Sequence, residues 1–168
     1  VILGGTGPVG VASAVICAKA GANVTLVGRS LEKAEKIAGI CNDRYNSKNV
    51  KGGADADKSD FFNAADIVLN TGAAGIQLMS DEHIKNSNTL KICADTNAVP
   101  PSGIAGVDVM DNGKVIDMSP SKCLGIGALA IGNIKYKSQH ECLKLMYTSE
   151  KPVYLDFEDA FKFAQKSV

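Results

Sequence analysis

VILGGTGPVG, residues 1–10, packs four glycines between the apolar Val1–Leu3 and the apolar-periodic Val11–Ala20. Glycine is costly inside a strand or a helix, so a cluster at their junction predicts that something approaches the backbone closely. Gly5-Thr6-Gly7-Pro8-Val9-Gly10 fits the spacing G-x-G-x-x-G. Such a loop, after a strand and at the opening of a helix, sets backbone N–H groups and a helix dipole against an anion, above all a pyrophosphate. Gly5 then permits the tight turn, Gly7 the approach of the phosphates, and Gly10 the packing of helix on strand.

Reading outward, Pro8 is tolerated in a first helical turn and Gly21 closes a helix over Pro8–Ala20. Asn23–Val27 is β-branched and reads as a strand, and Ser30 caps a helix over LEKAEKIAGICNDRY. Strand, helix, strand, helix within fifty residues predicts right-handed crossovers and a parallel sheet, hence an α/β, Rossmann-like doubly wound fold. Further along, Asn49–Lys51 reads as a short strand, Ser59–Ala65 as a short helix and Asp66–Gly72 as a strand. A short helix capped by Ser80, a strand from Leu90 to about Ala94 and a loop through Pro100–Gly103 follow. GIAGVDVMDNGK reads as loop, the glycine-spaced segment from Leu124 as the start of a long helix, and the segment from Asp156 as a final helix. Its apolar stripe is Phe157, Ala160, Phe161 and Ala164.

Composition narrows the function. The 168 residues suit one domain, 1–168, and zero formal net charge supplies no bulk basic surface for nucleic acid. No apolar run approaches the ~20 residues that span a bilayer. The chain opens in mid-strand without Met, which predicts a fragment of a longer protein. Cys17, Cys41, Cys93, Cys123 and Cys142 are widely spaced and odd in number. That pattern predicts reduced, mostly buried thiols of a cytoplasmic protein, with neither a zinc site nor a disulfide framework.

The tip of the second strand sorts the dinucleotides. An acid there would accept from the adenosine ribose, but the sequence has Gly28-Arg29-Ser30, with Lys33 one turn on. Arg29 can fork onto a 2′-phosphate or stack on adenine, and Ser30 and Lys33 add donors. NADP is favoured, and use of NAD as well stays open.

GGTGPVG, AGANVTLVGRSLEKA, NTGAAGIQLM, ICADTNAVPPSGIAGVD and LGIGALAIGNIKYK together resemble the cofactor domain of bacterial NAD(P)-dependent methylene-tetrahydromethanopterin dehydrogenase. The likeness covers nearly the whole chain and includes the uncommon PPxGI-x-G-x-D and GIG-x-L segments. It implies hydride transfer from a methylene-pterin to NADP or NAD, a missing N-terminal domain that closes a pterin cleft, and a homo-oligomer. The helices from about 125 would also meet that domain. Two other two-domain dehydrogenase types, acting on methylene-tetrahydrofolate or shikimate, are alternatives, as is a non-catalytic NADP-binding module.

Hydride departs from a carbon held between two nitrogens, so no strong base is needed and catalysis is mainly positioning. His83 and His140 are accordingly read as ordinary helix residues. Thr71, Gly72 and Ala73, at the carboxyl edge of a strand, are expected to meet the cofactor. Asp95 and Asn97 are expected beside them, though local turn-capping fits those two equally well. Gly125, Gly127 and Gly132 are read as close-approach positions on one helix. By the resemblance, Lys135 is the lysine that contacts the pterin, whereas Lys137 points elsewhere.

Overall fold

The computed structural model describes residues 1–167. In chain order the elements are β1 (Ile2–Leu3), α1 (Pro8–Lys19), β2 (Val24–Gly28), α2 (Leu31–Tyr45) and β3 (Val50–Ala54). A 3-10 turn over Asp55–Asp57 leads to α3 (Lys58–Asn63), β4 (Ile67–Asn70), α4 (Asp81–Asn86) and β5 (Ile92–Asp95). Then come β6 (Asn112–Val115), β7 (Leu124–Ile126), α5 (Ala128–Thr148) and α6 (Phe157–Gln165).

The strands form one seven-stranded sheet in the order β3-β2-β1-β4-β5-β7-β6. Each half of the sheet is wound outward from β1, so the carboxyl ends of β1 and β4 meet at the point where the winding reverses. That is where open α/β sheets bind ligands. The expected doubly wound sheet is present, with one correction: it is mixed, because β6 runs antiparallel to β7 at the edge.

Two apolar layers follow from strand alternation. Ile2, Val24 and Leu26 face α1 and α2, packing on Ala14, Val15, Ala38 and Cys41. Leu3, Val27, Val68 and Cys93 face the opposite side, against Phe62 of α3 and Ile84 of α4. Local signals set the helix ends. The Ser30 hydroxyl accepts from the Lys33 amide, and Gly21, at φ +93°, ends α1 in the left-handed region. Ser80 and His83 form a reciprocal capping box on α4, and Asp156 does the same with Asp159 on α6.

The carboxyl-terminal third departs from the sequence expectation. GIAGVDVMDNGK ends in the first three residues of β6, whose four residues are all exposed, and the glycine-spaced start of the long helix is β7. Neither segment has strand periodicity; β7 exists because Ile92, Cys93 and Ala94 of β5 offer it a ladder. After α5 the chain returns through α6 to the α1–α2 side. There Phe157 meets the Tyr45 ring edge-on, and Glu158 pairs with Lys19 at 2.7 Å. Among the described residues no helix is long and apolar enough to cross a membrane.

Candidate active site

The glycine loop leaves β1 through Gly4, at φ +64°, a conformation that other residues rarely adopt. Its partner surface is the turn after β4: a Cβ on Gly4 would lie 2.5 Å from Gly72 Cα. Gly10 is equally constrained, since its Cβ would lie 2.5 Å from Gly5 Cα and 2.6 Å from the Gly5 carbonyl oxygen. The close helix–strand contact expected of Gly10 is present, whereas the left-handed turn residue is Gly4 and Gly5 is held by packing, its Cβ place lying 2.9 Å from the Ile2 carbonyl oxygen. Gly7 is the N-cap of α1 and offers no side chain to the helix. Among the described residues the amides of Val9 and Gly10 have no acceptor, while Gly7 donates to the Gly4 carbonyl and Val11 to that of Gly7. Thr6, Pro8 and Val9 stand at the open rim, Pro8 and Val9 exposed. An uncapped helix N-terminus with free donors beside a glycine-rich loop fits a pyrophosphate.

Arg29, Ser30 and Lys33 lie exposed at the tip of β2. Among the described residues neither cation pairs with a carboxylate, and the nearby Asp55 is engaged by Lys58 at 3.2 Å. The three side chains are free to meet an anion. Ser30 also caps α2, so its oxygen already accepts one backbone N–H and its hydroxyl proton is what it has to offer.

At the carboxyl edge of the sheet, alternation decides which polar groups face the crevice. Leu69 and Thr71 face one side and Val68 and Asn70 the other; on β5, Ala94 and Thr96 pair off against Cys93 and Asp95. Thr71 and Thr96 therefore line the crevice. Thr71 Oγ1 donates to the Leu3 carbonyl at 2.8 Å, and Thr96 Oγ1 donates to that of Asn70 at 2.9 Å. With their protons spent inward, both hydroxyl oxygens can only accept from a ligand, for example an amide or a sugar hydroxyl. Ala73 is exposed beside them.

Asp95 and Asn97 require a correction. Asp95 is 1% exposed, and its carboxylate accepts from Asn70 Nδ2 (2.7 Å) and from the amides of Asn97 (2.9 Å), Gly103 (2.7 Å) and Ile104 (3.0 Å). Four donors satisfy a buried charge and leave nothing for a ligand. Asn97 is similarly occupied: its Oδ1 accepts from Gly75 and Val99, and its Nδ2 donates to the Pro101 carbonyl. Each side chain caps its own turn, through the Asn97 amide for Asp95 and the Val99 amide for Asn97, and each also bonds groups well outside that turn. Asn70, Thr96 and Gly103 were missed by sequence reasoning. Counting alternation back from Thr71 would have put Asn70 on the Asp95 side, and an Asn ending the apolar run IVLN was a visible signal.

Beneath α5 a groove of about 1040 Å³ runs from Thr71 and Thr96 past Ile131 and Ile134 to Phe157 and Phe161. Lys135 and Ser138 line it, whereas Lys137 lines a separate pocket of about 480 Å³ with Tyr136 and His140. The expected divergence of the two lysines is present. The glycines divide differently from expectation: Gly125 lies in β7, Gly127 caps α5, and Gly132 alone is helical. A Cβ on Gly127 would strike the Asp108 and Val109 carbonyl oxygens, so that position is tight; one on Gly132 would meet nothing within 4 Å.

Neither histidine enters the crevice. His83 Nδ1 accepts from the Ser80 amide at 3.0 Å, its ring meets Phe62 edge-on, and burial lowers its pKa, aided by Lys58. His140 is exposed beside Glu141. Cys93 and Cys123, thirty residues apart, lie with sulfurs 3.9 Å apart in the core; burial, with Cys123 beside it, pushes the Cys93 thiol far above its ordinary range.

No family model matches the chain. Over 167 residues it is 38% identical to the NAD(P)-dependent methylenetetrahydromethanopterin dehydrogenase of Methylorubrum extorquens, covering 98% of this chain and 56% of that protein. Over 148 residues it is 36% identical to the bifunctional protein MdtA of the same organism, covering 87% of this chain and 50% of that protein. The chain thus spans about half the length of the curated relatives it matches. In fold it is similar to quinate dehydrogenase from Corynebacterium glutamicum in complex with NAD (TM-score 0.59, 16% identity, 99% of this chain and 54% of that one). It is also similar to an L-alanine dehydrogenase (TM-score 0.57, 14% identity, 97% of this chain and 52% of that one).

Proposed function

We propose, on the premise that this chain is a homologue of a methylenetetrahydromethanopterin dehydrogenase, that residues 1–168 form the cofactor-binding domain of such an enzyme. The observation that carries this reading is one sheet edge bearing both the uncapped, glycine-walled start of α1 and the crevice between Thr71, Thr96 and Lys135. In this reading the amides of Val9 and Gly10 and the rim residue Thr6 hold the pyrophosphate of NADP, and Arg29, Ser30 and Lys33 hold its 2′-phosphate. NAD enters the same loop with fewer contacts. The bound dinucleotide supplies an acceptor for hydride.

The chain's own residues position rather than react. Thr71, Gly72 and Ala73 form the wall on which the nicotinamide end rests, with the acceptor-only Thr71 oxygen suited to its amide. Lys135 stands in the groove wall, where an ammonium can orient the polar edge of a pterin. No group in the crevice needs to take a proton, since the carbon that loses hydride shares the resulting charge with two nitrogens. The exposed Leu129, Ile134 and Met146 on α5 support a second, N-terminal domain that would close the cleft. We also infer a cytoplasmic homo-oligomer; the five free cysteines support the compartment.

The test is turnover by the full-length protein, followed as NADPH formation with methylene-tetrahydromethanopterin, methylene-tetrahydrofolate and shikimate offered separately. Reduction with the methanopterin derivative alone is expected. NADP binding without turnover of any of the three would overturn the dehydrogenase reading in favour of a binding module.

A further inference from the structure

We propose that Asn70 and Asp95 are positioning residues that lock the two walls of the crevice together, so that the loop after β4 and the loop after β5 move as one body. The proposal rests on the reading of that crevice as the hydride-transfer site. Asn70 and Asp95 are paired across adjacent strands, on the side of the sheet facing away from the groove, and both are buried. Their amide–carboxylate bond is 2.7 Å long. Each then reaches a different wall. Asn70 Oδ1 accepts from the Gly72 amide at 3.0 Å, fixing the Thr71–Ala73 turn. Asp95 accepts from the Asn97, Gly103 and Ile104 amides, fixing both ends of the loop that carries Pro100 and Pro101.

Two further features make this a tie between walls and not a local turn. Asn97 Oδ1 reaches back across the crevice loops to the Gly75 amide at 3.3 Å, and the Gly103 carbonyl accepts from the Leu78 and Met79 amides. Residue 103 is glycine because a Cβ there would occupy the place of the Asn70 amide nitrogen. The site has been cleared for that side chain. A dehydrogenase whose reacting carbons must approach within about 3–3.5 Å needs the two supporting walls held in register.

The experiment uses the full-length protein with Asn70→Asp, Asp95→Asn and the double swap. Asn70→Asp sets carboxylate on carboxylate, and Asp95→Asn offers amide to amide; the double variant restores an amide–carboxylate pair. Each single variant should lower kcat about tenfold or more, while the NADP dissociation constant stays within about threefold, because the phosphates are held at α1 and Arg29. The double swap should recover part of kcat; recovery is incomplete because a carboxamide at position 95 no longer accepts from all the neighbouring amides. In hydrogen exchange, the Gly72, Gly103 and Ile104 amides should lose protection together in either single variant. Should a single variant fail to fold, Asn97→Ala cuts the same tie at its rim without stranding a buried charge, and should lower kcat several-fold at unchanged NADP affinity.

Single variants with full kcat, a swap that recovers nothing, or loss of protection confined to the mutated strand would each overturn the proposal. If the parent protein turned over no methylene-pterin while the three amides still loosened together, the lock would stand and the dehydrogenase reading would fall.

Discussion

Replacing Gly10 with alanine tests the central contact of the phosphate loop. The new Cβ would lie 2.5 Å from Gly5 Cα and 2.6 Å from the Gly5 carbonyl oxygen. Carbon atoms rest at about 3.5–4.0 Å, so α1 must retreat from the β1 turn by about 1 Å. Overpacking of that kind costs about 1–3 kcal/mol, against about 1 kcal/mol gained from alanine's better helix propensity. The net expectation is a loss of up to about 2 kcal/mol. The retreat also carries the free Val9 and Gly10 amides away from the phosphate they would meet. Losing one charge-assisted hydrogen bond, about 1.5–3 kcal/mol, weakens NADP binding by roughly tenfold or more. Two helical glycines serve as controls. A Cβ at Gly39 in α2 or Gly132 in α5 meets nothing within 4 Å. Alanine at either should therefore raise stability by about 0.5–1 kcal/mol. Urea denaturation and calorimetric titration of NADP on the three variants read both effects. Gly10→Ala that stabilised the fold as Gly39→Ala does, with unchanged NADP affinity, would refute the packing argument and the phosphate site together.

Arg29→Ala should weaken NADP by about one to two decades and NAD far less; equal losses in titration would leave Arg29 as an adenine stacker. In the full-length enzyme, Lys135→Ala should cut kcat or raise the pterin KM by about tenfold, roughly 1.4 kcal/mol, at unchanged NADP affinity. Lys137→Ala, in its separate pocket, should do little, and steady-state kinetics showing the reverse would mean that α5 presents its other face. His83 carries a lowered pKa, from burial first and Lys58 next, so the folded state binds fewer protons than the unfolded chain. Stability should be fully present above the unfolded histidine pKa of about 6.5 and should fall as pH drops below it. His83→Gln should flatten that slope in denaturation midpoints measured between pH 5 and 7, and an unchanged slope would remove His83 as its source.

Much of this protein was determined by sequence that acts over short range. The Ser30, Ser80 and Asp156 caps, the Gly21 stop and the contact of Gly10 on Gly5 involve atoms within a few residues of one another, so composition and spacing specify them directly. The absence of an acid at Arg29 is of the same kind. Other features depended on partners far along the chain. β7 is a strand because β5 lies beside it, and its three residues alone carry no such signal. Asp95 faces inward because Asn70, twenty-five residues earlier, and the Gly103 and Ile104 amides come within hydrogen-bond reach, where a buried carboxylate gathers more donors than the crevice offers. Helix periodicity already turns Lys135 and Lys137 apart, but the cavities that each lines exist only because α6 returns beside α5. Backbone preference is a local energy; which way a polar side chain turns is settled by the donors and acceptors that the finished fold brings to it.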